Sequence, residues 1–276
     1  MKRRSFLAFG VTAGIGVPSL REWGSAAAQP SRWRADGAGS VARIGVLTPA
    51  FDPVPETEMV AMAPRGVSVH AARVGRQAGG ARAFAEPPSV DAAVDQLVEL
   101  APRVILFGYT SSSYALGPAG DDMVKVRLET RSRQIPVLLT CPAATEALRA
   151  LSVSRIALVH PPWFAEDMNE QGRDYFATQG FDVLRSTRLS PSRPFTEVPP
   201  AEVYEWVRRN VPRGAEAVFI GGNGLRAIGA IRALEEVLRM PVLTANQVLF
   251  WQALRFVGAT TKVTQYGRVF QSEQAR

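Results

Sequence analysis

Cysteine and histidine are both scarce in this sequence. Its 276 residues include one cysteine, Cys141, and two histidines, His70 and His160. A single thiol excludes an internal disulfide, and two separated histidines without further cysteines do not make a zinc site. Cys141 follows the strand-like residues 136–140, where a small buried side chain is the expected role and a reactive thiol is the alternative. We therefore expect neither a metal site nor a disulfide.

Long hydrophobic runs are also missing. The apolar stretch at residues 6–20 contains three glycines and a proline and is shorter than the roughly 20 residues that a membrane span needs. It follows the paired arginines Arg3 and Arg4 and precedes small residues at 25–28. This pattern predicts a twin-arginine (Tat) export signal over residues 1–28, cleaved after Ala28, and hence a periplasmic protein without a membrane anchor. A single uncleaved membrane anchor is the alternative.

Positive charge is moderate once the predicted signal is set aside. The formal net charge is +7, but residues 1–28 carry four basic residues and one acidic residue, which leaves +4. The remaining arginines are dispersed and lack the dense run or the aromatic interleaving of a nucleic-acid surface, so we expect no nucleic-acid partner. Residues 29–40 have no periodicity and are predicted to be a flexible leader.

Short apolar segments alternate with amphipathic segments from residue 41 onward. The first half predicts strands and helices in turn, with strands at residues 43–48, 67–71, 104–107 and 136–140 and helices at 90–101 and 121–133. The second half repeats this pattern about 110 residues later, with strands at residues 155–160, 218–220 and 241–244 and helices at 164–180, 201–211, 224–239 and 247–257.

This repeat predicts an α/β fold with two pseudo-symmetric lobes, each a parallel sheet covered by helices. The expected lobes are residues 41–152 and 153–276. Ligands of open parallel sheets bind beyond the carboxyl ends of the strands, so the site is predicted in the cleft between the lobes. The turns that should converge there are those starting at Pro49, Tyr109, Cys141, Pro161, Gly221 and Asn246.

Two of these turns follow matching apolar runs. Residues 109–113, YTSSS, offer hydroxyls and backbone N–H groups that could cradle a carboxylate, although a turn of this kind could equally cap the next helix. Residues 221–224, GGNG, lack the spacing of a dinucleotide loop, so no nicotinamide cofactor is expected. Their glycines would let the backbone approach a small ligand or simply permit the turn.

Several segments together carry a family resemblance: residues 43–49, 109–113, 142–151, 223–226 and, most specifically, 241–255. They resemble the maleate cis-trans isomerase and arylmalonate decarboxylase branch of the aspartate/glutamate racemase superfamily, in the same order and across about residues 42–258. The resemblance implies two pseudo-symmetric α/β lobes, a cofactor-free site between them and small carboxylic acids as substrates.

Residue by residue, the resemblance places Thr110 and Ser111 on the turn that binds a carboxylate and Asn246 on a matching asparagine. It adds further cleft residues, Pro49, Phe164, Gly222 and Asn223. Phe164 stands where a tyrosine is found in the family, and Phe51-Asp52 stand near an asparagine of the isomerases. The two cysteine positions are occupied by Tyr109 and Gly222.

These departures decide which reaction is expected. Isomerisation and racemisation each require a specific thiolate, which a tyrosine oxygen with a pKa near 10 replaces poorly. Decarboxylation of a substituted malonate needs apolar walls and hydrogen-bond donors, with Tyr109 as the candidate acid and Thr110 and Ser111 as oxyanion donors. The alternative function is an exported, non-catalytic binding protein for a small carboxylate. Phe51, Trp163, Phe164 and Trp251 would favour an aromatic or alkyl ligand, although Trp251 could equally pack in the core.

Overall fold

Two four-stranded parallel sheets of the same strand order form the framework of the described residues. In the computed structural model these are residues 37, 39–76, 78–190, 197–259 and 263–271, and they belong to one compact unit that begins at Gly37. The first sheet has the order β2-β1-β3-β4, with β1 at Ala42–Pro49, β2 at Val67–Val74, β3 at Val104–Phe107 and β4 at Val137–Leu139. The second has the order β6-β5-β7-β8, with β5 at Arg155–His160, β6 at Asp182–Arg188, β7 at Ala217–Ile220 and β8 at Val242–Thr244. The predicted duplicated α/β fold is confirmed.

Helices follow most of the strands. Their bounds are α1 Val54–Met62, α2 Gly80–Ala83, α3 Ser89–Val98, α4 Thr110–Arg131, α5 Thr140–Ala150, α6 Glu166–Thr178, α7 Pro200–Asn210, α8 Ile231–Leu238 and α9 Ala245–Phe256, with short 3₁₀ helices at Ile228–Ala230 and Arg268–Phe270. Helix α4 is kinked at Gly117, whose φ of 71° precedes Pro118. No helix among these is long and apolar enough to cross a membrane.

The central strands are buried because their sequences are continuous apolar runs. Every residue of β3 and β7 is buried, which is typical of parallel strands covered by helices on both faces. Helix α9 is also almost entirely buried and packs against α5 and α1. Trp251 on this helix is 1% exposed and lies in the core, not in the cleft.

Two predicted helices differ from the structure, and one predicted segment lies outside the described residues. The helix expected at residues 121–133 begins earlier, at Thr110, because the hydroxyl-rich turn itself forms its first turn. The helix expected at residues 224–239 begins only at Ile231, because Glu58 of α1 accepts the N–H groups of Ala227 and Ile228 and the residues that follow form a 3₁₀ helix. The predicted signal at residues 1–28 lies outside the described residues, as does most of the predicted leader at 29–40.

Candidate functional site

The turns after β3 and β7 meet at the carboxyl ends of the two sheets. Asn223 Oδ1 accepts hydrogen bonds from the backbone N–H of Thr110, at 2.9 Å, and from its hydroxyl, at 2.7 Å. The same hydroxyl oxygen accepts the N–H of Gly222 at 3.1 Å. The predicted convergence of these two turns is therefore a direct, buried contact between the lobes.

A cavity of about 200 Å³ lies above this contact. It contains seven of the eight residues predicted for the site, and its walls are Pro49, Phe51, Asp52, Phe84, Gly108, Tyr109, Thr110, Ser111, Trp163, Phe164, Gly222, Asn223 and Gly224. The eighth, Asn246, is buried beneath the wall and bonds to Asn223. Phe84 was not foreseen, because no motif marks it and it reaches the cavity from the short helix α2 and its end.

Tyr109 presents a buried hydroxyl on the cavity wall. The residue is 3% exposed, its ring stacks on Phe84 at 5.1 Å between centroids, and its Oη makes no hydrogen bond to any of the described residues. Burial, and secondarily the charge of Asp52, raise the pKa of this phenol well above its ordinary value of 10. Tyr109 is therefore a neutral hydrogen-bond donor on the cavity wall and a weak acid.

Gly222 has no room for a side chain. Its φ of 87° is left-handed, and a Cβ placed there would lie 2.2 Å from Cγ and 2.8 Å from Cδ of Pro161. Both features favour glycine over any other residue. The second of the two cysteine positions suggested by the resemblance is therefore closed to a cysteine by the backbone as well as by the sequence.

Asp52 is the one carboxylic acid on the cavity wall. It is 3% exposed, and its Oδ1 accepts the N–H of Val54 at 2.9 Å, while Oδ2 makes no hydrogen bond within the described residues. Burial raises the pKa of Asp52 from 3.8 to about 6, against the smaller opposing effects of the Val54 bond and of Arg73. The cavity thus holds an acid that changes protonation state near pH 6.

Beneath the cavity, a hydrogen-bond chain runs from Asn223 to a buried carboxylate. Asn223 Nδ2 donates to Asn246 Oδ1 at 2.9 Å, and Asn246 Nδ2 donates to Glu58 Oε2 at 2.8 Å. Glu58 Oε1 accepts the backbone N–H groups of Ala227 and Ile228. Burial raises the pKa of Glu58 to about 7. No sequence motif marks Glu58 as a site residue, because its partners lie some 170 to 190 residues away along the chain.

Comparison with known proteins identifies the family. Residues 45–270 match the family model described as arylmalonate decarboxylase. The chain belongs to the arylmalonate decarboxylase family. The resemblance inferred from the sequence segments is thereby confirmed.

Relatives in this family carry two different activities in their names. The arylmalonate decarboxylase of Bordetella bronchiseptica is 26% identical over 197 residues, which cover 67% of this chain and 80% of the relative. The maleate isomerase of Nocardia farcinica is 24% identical over 247 residues, covering 85% and 98%. The solved structure of the Nocardia farcinica maleate cis-trans isomerase bound to TRIS superimposes with a TM-score of 0.77 at 22% identity and covers 85% of this chain and 99% of that one, which shows a shared fold.

Neither Cys141 nor His160 reaches the cavity of this family member. Cys141 is fully buried, its Sγ lies 3.9 Å from the carbonyl oxygen of Thr110, and burial raises the pKa of its thiol well above the ordinary value. His160 is fully buried between Tyr114, 3.1 Å from Nε2, and Asn169, 2.8 Å from Nδ1, and burial lowers its pKa to about 4. Both groups are neutral core residues behind the cavity wall.

The described residues contain no group of three His, Cys, Asp or Glu side chains that could hold a metal ion. The chemistry available on the cavity wall itself is that of one carboxylic acid, one phenol, hydroxyls, backbone N–H groups and aromatic rings. This set can bind a carboxylate, stabilise an oxyanion and transfer one proton.

Proposed function

We propose that this protein is a cofactor-independent decarboxylase that acts on a small malonate carrying an aryl or alkyl substituent. The observation that carries the proposal is the composition of the cavity: aromatic walls, a few unpaired donors and one carboxylic acid, with no thiol. Membership of the arylmalonate decarboxylase family supports the same reaction class.

Loss of carbon dioxide is favoured where one carboxylate sits against apolar walls and donors hold the other. Phe51, Phe84, Trp163 and Phe164 provide such walls. The Ser111 hydroxyl, half-buried and without a partner in the described residues, and the unpaired Tyr109 hydroxyl are the donors for the enediolate that forms. The carbon–carbon bond breaks heterolytically, and its electron pair stays on the substrate as the enediolate.

The enediolate must then receive a proton on carbon, and Asp52 is the better donor. Its pKa of about 6 makes it a far stronger acid than Tyr109, whose pKa is raised above its ordinary value. The Asp52 proton moves to the substrate carbon, the product leaves as a monocarboxylate, and water returns a proton to Asp52. The neutral form of Asp52 also removes the repulsion that an ionised carboxylate would exert on a malonate dianion. The proton-transfer step from Asp52 should therefore slow as the pH rises through about 6.

A reaction that delivers one proton to one face of the substrate fits this cavity better than a reaction that needs a reactive group on each of two faces. Racemisation and cis-trans isomerisation in this superfamily rely on thiols, whereas Tyr109 and Gly222 stand at the two expected positions. Gly222 cannot carry a side chain without displacing Pro161. Proton transfer from the Asp52 side alone is sufficient for decarboxylation.

The test is carbon dioxide release from phenylmalonate and from a small alkylmalonate between pH 4.5 and 8. We expect turnover by the wild type, a decrease of at least a hundredfold in Asp52→Asn and a smaller decrease in Tyr109→Phe. Tyr175→Phe is the matched control, because Tyr175 is buried but bonds Asp121 away from the cavity. Absence of turnover in the wild type across this pH range contradicts the proposal.

One observation favours a second candidate, a binding protein for a small monocarboxylate. The N–H and hydroxyl of Thr110, expected to hold a carboxylate, are both already bonded to Asn223. A cavity with fewer free donors can bind a ligand without activating it. Calorimetry with phenylacetate and mass spectrometry of phenylmalonate mixtures separate the two functions: binding without any product supports the second.

We further propose that the protein acts in the bacterial periplasm. The paired arginines Arg3 and Arg4 before an apolar stretch support export by the twin-arginine route. Replacing both by lysine should leave the protein in the cytoplasmic fraction. Equal periplasmic amounts of the wild type and this variant would contradict the proposal.

A further inference from the structure

We infer that Glu58 is a positioning residue, whose carboxylate sets the direction of a hydrogen-bond chain that holds both turns of the cavity in place. The chain runs from Glu58 through Asn246 and Asn223 to Thr110, and Thr110 in turn accepts the N–H of Gly222. The consequence for turnover rests on the proposed function, whereas the consequence for the two turns does not.

The two ends of the chain determine the orientation of every amide between them. Glu58 Oε1 accepts the N–H groups of Ala227, at 2.8 Å, and Ile228, at 3.1 Å, and the ionised carboxylate has no proton to donate, so in this form it acts only as an acceptor. At the other end, the backbone N–H of Thr110 can only donate. Asn246 must therefore turn its NH₂ group to Glu58, and Asn223 must turn its oxygen to Thr110.

The chain also crosses between the lobes twice. Glu58 lies on α1 of the first sheet's half, whereas Asn246 and Asn223 follow β8 and β7 of the second. Thr110 returns to the first half after β3. Asn246 Nδ2 additionally donates to the carbonyl oxygen of Asn223 at 2.8 Å, which fixes the backbone of the second turn. One carboxylate thus orients wall residues from both halves of the molecule.

A neutral amide at position 58 cannot be accommodated by turning the other amides. Its oxygen would stay on the N–H groups of Ala227 and Ile228, so its NH₂ would face the NH₂ of Asn246. Turning Asn246 brings two donors together at Asn223, and turning Asn223 brings two donors together at Thr110. Each rotation moves the mismatch along the chain without removing it, and a buried unpaired donor is costly.

The experiment compares Glu58→Gln with Glu235→Gln as the matched control. Glu235 is also 7% exposed and also accepts backbone N–H groups, those of Val242 and Arg268, but lies away from the cavity. We expect Glu58→Gln to shift the backbone amide signals of Thr110 and Gly222 in ¹H–¹⁵N spectra and to weaken phenylacetate binding about tenfold. Glu235→Gln should change neither.

The spectra separate this inference from the proposed function. Shifted Thr110 and Gly222 signals support the inference even if phenylmalonate is not turned over. Unchanged signals in Glu58→Gln, or equal changes in Glu235→Gln, overturn it. Adding Asn246→Asp to Glu58→Gln should restore the Thr110 signal in part, because the new carboxylate accepts from both sides but cannot donate to the Asn223 carbonyl.

If Glu58→Gln does not fold, titration of an otherwise native chain gives the answer. Asp52 is the titratable group whose charge acts on Glu58, so Asp52→Asn is used as the background. The Thr110 and Gly222 amide signals should then titrate together, because protonation of Glu58 turns one acceptor into a donor, with a midpoint somewhat below the value of about 7 that holds when the Asp52 charge is present. Signals that stay constant between pH 5 and 8.5 overturn the inference.

Discussion

The two halves of the molecule line one cavity but contribute different kinds of side chain to its wall. Both sheets have the same strand order, and both place a turn from their third strand on the cavity wall. The first half supplies the two titratable wall groups, Asp52 and Tyr109. The second half supplies aromatic rings and a glycine-rich turn, with no titratable group on the wall. The duplicated fold therefore determines where the site lies, whereas its titratable groups come from the first half alone.

The two turns also differ in side-chain volume. Tyr109 fills its position with a buried ring, whereas Gly222 leaves its position to the Pro161 ring. A reaction that passes a proton across two faces needs a group on each turn. A cavity with acid and phenol on one face and apolar rings on the other suits a reaction that delivers one proton from one side.

The largest expected effect is on stability, and it tests whether position 222 can carry a side chain. Gly222→Ala should destabilise the protein by about 2 to 6 kcal/mol, because left-handed strain and overpacking each cost roughly 1 to 3 kcal/mol. Gly180→Ala is the control, since Gly180 has nearly the same φ, 88° against 87°, and no atom within 4 Å of its added Cβ. Urea unfolding should show for that control only the loss from left-handed strain, roughly 1 to 3 kcal/mol, without the overpacking loss.

Equal losses in the two variants would mean that Pro161 moves aside without cost. The second turn would then be able to carry a side chain, and the asymmetry between the turns would be one of sequence alone. In that case Gly222→Cys becomes a sensible route to a thiol in this cavity. If Gly222→Ala loses more stability than Gly180→Ala, as expected, Gly222→Cys is not a useful route to a thiol.

Much of the fold could be predicted because its central strands are continuous apolar runs. Val104–Phe107 and Ala217–Ile220 are buried throughout, and their turns were expected to meet. The strand Asp182–Arg188 was missed because its residues are mostly polar and at least partly exposed, as suits a sheet edge. Helix Thr140–Ala150 is not evident from the sequence, because Pro142 directly after the strand is typical of a turn.

Site residues that lie in the turns after strands could be predicted from the sequence. Site residues that reach the cavity only through contacts distant in sequence could not. The glycines and hydroxyls near Tyr109 and Gly222 follow directly from the strand pattern. Glu58 and Phe84 come from elements without a motif, and only the packing of α1 and α2 brings them to the site. Thr110 lies on the cavity wall, but the occupation of its donors by Asn223 depends on the distance between the lobes.

The next largest effect concerns the acidic half. Between pH 3.8 and about 6 the folded protein holds a proton on Asp52 that the unfolded chain has released. The stability that Asp52 contributes is therefore complete below pH 3.8 and is lost as the pH rises through 6. One pKa unit corresponds to about 1.4 kcal/mol, so the loss is about 3 kcal/mol. Asp52→Asn keeps an acceptor for the Val54 N–H and should be more stable than the wild type by about this amount at pH 8.

Denaturant unfolding at pH 3.5, 5, 6.5 and 8 checks this expectation. The two proteins should agree at pH 3.5 and diverge upward, while Glu58 leaves a remaining slope in both up to about pH 7. Asp95→Asn is the control, because the Arg131 partner lowers the pKa of that exposed carboxyl and its substitution should not produce this divergence. A parallel pH dependence in Asp52→Asn and the wild type would show that Asp52 is solvated and is not the acid of the first half.

The smallest effect distinguishes a site from a packing defect in the first turn. The Tyr109 hydroxyl is buried and has no partner among the described residues, so Tyr109→Phe should stabilise the ligand-free protein by up to about 1 kcal/mol. If that hydroxyl donates to a carboxylate, the same variant should bind phenylacetate several-fold more weakly, measured by calorimetry beside thermal unfolding. Tyr175→Phe, which breaks the bond to Asp121, should instead lose stability and keep its affinity. If Tyr109→Phe is more stable and its affinity is unchanged, Tyr109 only packs in the wall. Asp52 would then be the one group of the first half that acts on the ligand through its proton.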